Sequence, residues 1–397
     1  MKPVISSLFG CAAIFASASN SLAEENNAII VSANRFPMQE HKTPYSAEIY
    51  TSNDIQNSGA DSLYEFLDQY SSLTVLPSFG NPFAQKLDMR GYGIGNGYQN
   101  MVVTLNGQRL NNIDMVPQLL SAIPLENIER IEISKGSGSV VYGDGAMAGA
   151  LHIYTKDVTD VSFGAAVGSH GYKTANLSAG LNGKSFSLSA NSEESKLGGY
   201  SDADITGNKD ESESEHYGIH GKFYPTSKLE LRLARTHSTI DTTYPGSLTL
   251  DEFNANPSQN GDNTYTQQEF IDDNTSTGLT LDISSSLKIV YDMHMEEKSS
   301  EYVSPFSFKA DYEYDSQDLA VQYNKNDLQI IAGIQRFDGD RIQTSNTTSK
   351  LNTAYFAQGL LKNNSTHLSF GARSEKVEYT YQPVSGSALS DSHSLTA

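Results

Sequence analysis

From Asp160 to Val377 the chain is written in a two-residue alternation. Leu229, Leu231 and Leu233 take turns with Glu230, Arg232 and Ala234. Leu287, Ile289, Tyr291, Met293 and Met295 take turns with Lys288, Val290, Asp292 and His294, and Leu328, Ile330, Ala332 and Ile334 repeat the pattern. In a strand such residues project to opposite faces. The alternating segments run to about ten residues each, and about eleven candidates lie between Val161 and Val377. A water-soluble sandwich would bury the apolar face; a membrane barrel turns it to lipid and keeps the polar face inside. The connectors discriminate. Asn182-Gly183, Pro225-Thr226-Ser227, Ser284-Ser285-Ser286, Asn324-Lys325-Asn326 and Asn363-Asn364 are short turns. Between them lie long polar loops near 193–214, 239–274, 298–311 and 338–351. Bacterial barrels alternate short periplasmic turns with long outer loops in this way; a sandwich has no reason to.

A membrane barrel must first be secreted. Residues 1–23 read as a leader, with Lys2 at its start, an apolar stretch from Val4 to Phe15, and Ser21-Leu22-Ala23 as a small-residue cleavage site. Leu8-Phe9-Gly10-Cys11 faintly suggests a lipoprotein site, but Phe9 is bulky and the apolar run continues, so cleavage after Ala23 is the preferred reading. The single cysteine, Cys11, would leave with the leader, so no disulfide and no catalytic thiol is expected. After the leader no run of apolar residues is long enough for a membrane helix, and barrel strands never form one. The chain has no Trp, so its 22 Tyr and 16 Phe must supply any interfacial girdle. A formal net charge of −20 argues against nucleic acid as a partner.

Ahead of the alternating region, Ile128 to Lys156 reads IERIEISKGSGSVVYGDGAMAGALHIYTK. Ile128–Ile133 and Ala150–Tyr154 read as strands. The connector between them holds Gly136, Gly138, Gly143, Gly145 and Gly149 and is expected to fold tightly, since glycine accepts positive φ and close backbone approach. Gly143 to Ala148 satisfies a relaxed dinucleotide-binding fingerprint, which must open a helix; Leu151-His152-Ile153-Tyr154 reads as a strand instead. The stretch resembles the end of the plug domain of TonB-dependent outer-membrane receptors, with Lys135 and Ser137 where Arg and Pro are usual. Leu87-Asp88-Met89-Arg90-Gly91 and Met101 to Leu110 resemble two further plug segments, and Asn106-Gly107 is a tight-turn signal in its own right. Ala47–Thr51 reads as a strand, and Asp61 as the cap of a short helix over 62–67 with Leu63, Phe66 and Leu67 on one face.

The resemblance implies an all-β antiparallel transmembrane barrel, 22-stranded when complete, with an N-terminal α+β plug. The expected divisions are a leader 1–23, a TonB box and linker 24–40, a plug 41–156 and the N-terminal part of the barrel 157–397. The chain stops at Thr396-Ala397 in what reads as an outer loop, and plugged barrels need an even count of about 22 strands, so the sequence reads as carrying about half a barrel. The resemblance also implies function: energised import of a corrinoid such as cobalamin, or of a ferric siderophore or haem, into the periplasm, with no catalysis. The implied partners are TonB with the inner-membrane ExbB/ExbD motor, the ligand, and outer-membrane lipid. Ile29, Ile30, Val31 and Ser32 resemble the TonB box, expected to have unpaired backbone donors and to bind as an added strand.

Ligand is expected on the plug apices, at Phe79, Asn81, Phe83, Asn112, Asp114 and Met115. Two loops are acidic: 193–215, and the stretch from Thr236 to Leu287 that has no Lys or Arg. Clustered carboxylates stay solvated or share a hard cation, and resemblance to the cobalamin receptor implies Ca²⁺ at Asp202, Asp204, Asp210 and Asp241. His216 and His220 share a strand face, which is too few ligands for a metal site by itself. Two rival readings are a binding or adhesion platform without transport, and a secreted β-rich enzyme, for which no catalytic constellation stands out.

Overall fold

The computed structural model describes residues 30–31, 38–39, 46–78, 81–92, 100–113, 120–135, 142–261, 264–363 and 366–396. The leader lies outside them. A two-residue ladder, β1 (Ile30–Val31) with β2 (Met38–Gln39), precedes the first domain. That domain is built on β3 (Ala47–Thr51), helices α1 (Ser52–Ser58) and α2 (Leu63–Tyr70), the hairpin β4 (Thr74–Ser78) and β5 (Asn81–Asp88), β6 (Met101–Leu105), β7 (Gln108–Arg109), β8 (Ile128–Lys135) and β9 (Gly149–Thr155). Five of these strands form one sheet in the order β3-β8-β9-β6-β7, in which only β6 and β9 run parallel. Leu63, Phe66 and Leu67 of α2 pack on Val103, Ile131, Ile133 and Ile153 of the sheet. Burying one such side chain contributes about 1.5–3 kcal/mol.

Local signals set these elements. Asn106 (φ 51°) and Gly107 (φ 90°) turn β6 into β7, as the Asn-Gly pair predicts. The cap of α2 is Ser62 rather than Asp61: the Ser62 hydroxyl accepts the Glu65 amide at 3.2 Å, while the Asp61 amide donates to the Glu65 carboxylate at 2.9 Å. The sequence reading missed α1, which Thr51 and Asp54 hold in a reciprocal capping box. Of the connector before β9, Gly143, Gly145 and Gly149 all adopt positive φ, and a strand follows, which removes the nucleotide-loop alternative.

Twelve antiparallel strands follow in simple meander order: β10 (Val161–Val167), β11 (Lys173–Asn182), β12 (Phe186–Leu197), β13 (Ser212–Thr226), β14 (Leu229–Tyr244), β15 (Thr266–Ser284), β16 (Leu287–Ser304), β17 (Phe308–Lys325), β18 (Leu328–Gln343), β19 (Asn346–Asn363), β20 (Thr366–Pro383) and β21 (Leu389–Thr396). Eleven of them begin between Val161 and Val377; β21 occupies what reads from sequence as an outer loop. The sheet wraps the first domain. Ser178 of β11 donates to Asn127, Lys298 of β16 to the Leu110 carbonyl, and Lys350 of β19 to Asp144. Side-chain parity is inside-out relative to a soluble protein: Leu177, Ile219, Leu233, Leu319, Ile334 and Phe370 are exposed, whereas His216, Lys298, Lys350, Arg373 and Glu375 are buried. That is the signature of a lipid-facing apolar band around a polar interior.

Two expected loops are strands. Residues 298–311 and 338–351 pair continuously with their neighbours, leaving only 305–307 and 344–345 as turns. The reason is strand length. About 9–11 residues cross a bilayer, and β16, β17 and β19 each run to 18 residues. Beyond the apolar band their outward positions hold Glu297, Glu301, Asp311, Glu313, Asp338 and Asp340, so the apolar alternation that marks a strand stops while pairing continues. The loops 198–211 and 245–265 are long; the second carries helix α3 (Leu250–Ala255).

Candidate functional site

The domain and the wall meet at a buried polar joint. Gly143 takes φ 70°, and a Cβ there would lie 2.4 Å from Nη2 of Arg373, so the connector runs directly against β20. The next residue anchors it. The Asp144 amide donates to Oε2 of Glu375 at 3.1 Å, and its carboxylate takes Nζ of Lys350 at 2.8 Å. Arg109 of β7 holds the Asp144 carbonyl at 2.7 Å. Behind them Arg373 pairs with Glu375 at 2.9 Å, Asn352 donates to the same carboxylate at 2.7 Å, and Arg373 also reaches Gln335 at 2.7 Å. The Lys350 and Arg373 side chains are 3% exposed and that of Glu375 0%. Charges so buried persist only when paired and hydrogen-bonded. Burial pushes the Asp144 carboxyl up, but Lys350 and Arg109 prevail and hold it below its usual value.

Beside this joint lies a cavity of about 360 Å³. Thr104, Arg109 and His152 line it from the domain, and His294, Ser316, Gln322 and Asn352 from β16, β17 and β19. Thr104 and His152 are themselves hydrogen-bonded at 2.7 Å, and the His152 ring lies 4.6 Å from that of Tyr142.

The six residues expected to touch ligand divide four ways. Phe79, Asp114 and Met115 lie outside the described residues, and Asn81 opens β5. Phe83 is 7% exposed, in a cluster with Ala122, Ile240, Phe270, Ala310, Tyr312 and Tyr314, so it packs against the wall. Asn112 lines the cavity. Of the TonB-box residues, Ile29 and Ser32 are outside the described residues. Ile30 and Val31 are already laddered to Gln39 and Met38, where sequence reasoning expected an unpaired backbone.

The structure does not gather Asp202, Asp204, Asp210 and Asp241. Asp204 accepts amides of Thr206, Asn208 and Tyr265 and the Thr206 hydroxyl. Burial opposes its charge, and these donors outweigh burial and pull the carboxyl down to about 2. Asp210 accepts the Ser201 amide and hydroxyl, and Asp202 the Asn256 amide. Asp241 lies on β14, opposite Glu213 and Glu269. The carboxylates thus knit the 198–211 and 245–265 loops into one lobe. Among the described residues the one grouping of ligand type is Glu194, Glu213 and Glu215 on the outward face, with Lys196 bridging Glu194 and Glu213. His216 bonds Ser238 at 3.0 Å, and it joins no such grouping with His220.

Sequence reasoning missed Asp144, Lys350, Arg373 and Glu375. The available signal was the inward pair Arg373 and Glu375, two charges on the face of β20 that turns away from lipid.

Known proteins match in two ways. The family described as TonB-dependent Receptor Plug Domain matches residues 39–150. The vitamin B12 transporter BtuB of Vibrio vulnificus is 30% identical over 161 residues, 39% of this chain and 25% of that protein. BtuB of Photobacterium profundum is 33% identical over 132 residues, 33% of this chain and 21% of that protein. The matched segment thus spans about a quarter of these curated relatives. Among solved structures, the alcaligin outer-membrane receptor FauA from Bordetella pertussis superposes with a TM-score of 0.75 at 13% identity, covering 95% of this chain and 64% of that one. The ferric citrate transporter FecA in its unliganded form also gives 0.75, at 14% identity, covering 89% and 59%. At such identities these two carry the fold alone.

Proposed function

We infer that this chain, an outer-membrane β-barrel protein that belongs to the TonB-dependent receptor family, captures a large scarce nutrient outside the cell and passes it inward under TonB control. The observation that carries the reading is a plug domain seated inside a barrel wall and held there by the ion pair of Asp144 with the buried Lys350 and by the hydrogen bond of the Asp144 amide to Glu375, which Arg373 pairs within the wall. A joint of paired charges can be broken and remade without unfolding either partner, which suits a stopper that must move. The nutrient class is a corrinoid, the reading the BtuB relatives support, with an iron chelate as the alternative. The relatives are transporters and receptors, and the reading asks for no catalysis.

In this reading the lobe of 198–211 and 245–265 and the plug apices receive ligand. TonB takes Ile29 to Ser32 as an added strand, drawing on main-chain hydrogen bonds. The ladder Ile30–Gln39 and Val31–Met38 is only two residues long. A pair that short is marginal in water, so TonB can displace it. Pulling driven by the inner-membrane proton gradient, through ExbB and ExbD, then strains the joint at Asp144.

The test is accumulation of radiolabelled cyanocobalamin and of a ferric catecholate in cells expressing the intact protein, with and without TonB. The reading expects accumulation of one of them only with TonB. Surface binding without TonB-dependent accumulation of either would favour a binding platform instead.

A further inference from the structure

The two ends of the wall differ in charge. Each of the five hairpins that close in short turns, the periplasmic end of a bacterial barrel, has a lysine in the turn or within two residues of it: Lys184, Lys228, Lys288, Lys325 and Lys362. At the other end the loops 198–211 and 245–265 hold seven carboxylates and one lysine, Lys209. Backbone hydrogen bonds join the short turns into one lip. The Tyr224 amide donates to the Ser185 carbonyl at 2.8 Å, Asp282 to Lys228 at 2.8 Å, Asn324 to Ser286 at 2.9 Å and Lys362 to Asp327 at 2.7 Å. Met295 and Leu361 mark the lipid side of β16 and β19, so Lys288 and Lys362 have the opposite, inward parity.

A groove of about 560 Å³ opens in this lip, lined by Lys228, Lys288, Ser285, Asn324 and Gln329. Lys288 meets Asp282 at 3.8 Å, whereas Lys228 joins no ion pair among the described residues. Gln329 is 8% exposed, and its Oε1 has no hydrogen-bond partner among the described residues. A buried acceptor left unpaired is costly and calls for a donor. The groove therefore offers ammonium groups to an anion and an acceptor to an N–H. An acidic polypeptide brings both, carboxylates on its side chains and N–H groups on its backbone. A phosphatidylglycerol headgroup has only hydroxyl donors and would have to reach round the lip from the lipid side. Spacing fits a peptide too. Lys228 precedes β14 and Lys288 lies at the start of β16, two strands away, or roughly 10 Å, which three residues of an extended chain also span.

We propose that this lip is a docking surface for a periplasmic protein, which lays an extended acidic segment in the groove, its carboxylates on Lys228 and Lys288 and a backbone N–H on Oε1 of Gln329. The contact is the same whichever nutrient is carried.

The intact protein, in phosphatidylcholine nanodiscs at low salt, is titrated with a fluorescent peptide bearing glutamate at every third position and with its glutamine twin. The glutamate peptide is expected to bind about fivefold more tightly, the scale of exposed ion pairs. It should lose that advantage in high salt and in the double variant Lys228→Gln with Lys288→Gln. Lys309→Gln, at the outer end of β17, should change nothing. Gln329→Leu should weaken both peptides alike while the thermal midpoint holds or rises, which separates a contact with peptide backbone from a merely structural role. Heat-modifiable gel migration follows the folding of each variant, and Lys228→Gln alone, in an exposed turn, carries the test if the double variant unfolds. Equal binding of the two peptides, or an undiminished preference in the lysine variants, would overturn the docking surface. Phosphatidylglycerol enrichment by the parent that the double variant loses, with neither peptide bound, would assign the lysines to lipid and overturn it as well.

Discussion

At Asp144 two effects oppose each other. Burial disfavours its charge, while Lys350 at 2.8 Å and Arg109 favour it, and the carboxyl ends below its ordinary value. A lowered folded-state pKa gives stability that is fully present above the unfolded value, about 3.9, and is lost as pH falls through the folded one. The joint should therefore hold at neutral pH and loosen only below about pH 4. Protease nicking of the plug across pH should show that acid limb, and Asp144→Asn should flatten it. Glu375→Gln is expected to cost more, about 3 kcal/mol, because it leaves Arg373 buried without its counter-charge; a lowered thermal midpoint would report it. Gly143→Ala must place a methyl against Arg373 at a φ that suits glycine, so it should loosen the plug while the distant Gly207→Ala, which has φ 91° but open space around it, does not. Sequence alone marked Gly143 as part of a folded connector. The inward parity of Arg373 and Glu375 was readable but their role in a joint was not, since an inward charge on a barrel strand looks the same whether it faces water or a plug.

Among the elements, β1 is the one that the proposed TonB contact requires to leave its present partner. Ile30→Pro removes a donor and fixes φ, so it should abolish uptake while surface binding of ligand persists; Ile30→Val should be tolerated. Loss of binding along with uptake would make the segment part of the plug's own fold. In the outer lobe, Asp204→Ala removes the acceptor for the Thr206 and Asn208 amides of its own loop and for the Tyr265 amide that ties that loop to the next. Faster hydrogen exchange across both loops is expected, with or without calcium, because the acceptor serves protein donors. Legibility differed by element for a physical reason. The plug strands and the Asn106-Gly107 turn were readable because buried periodicity and turn chemistry are local. The outer halves of β16 to β19 were not, because water on their outward face removes the apolar alternation while the backbone ladder continues. The acidic lobe was legible as charge but not as a set of intraloop hydrogen bonds, which depend on where Tyr265 and Ser201 return in space.

At the scale of the whole molecule, the inside-out parity of the twelve-stranded wall and the α+β domain within it make one statement: a polar interior is filled by a separately folded stopper. Barrel class and the plug could be read from alternation, connector lengths and the 128–156 stretch. The plug–wall joint and the cavity beside it could not, because they pair residues more than two hundred positions apart, as Asp144 and Lys350 are. The central claim is that import requires the plug to leave the wall at this joint. Cysteines at Asp144 and Lys350, bridged by a reducible bis-methanethiosulfonate in cells that take up ligand, measure it directly. The account predicts that uptake stops when the bridge is closed, returns when a reductant opens it, and that surface binding is the same in both states. Uptake that continues with the bridge closed would contradict it.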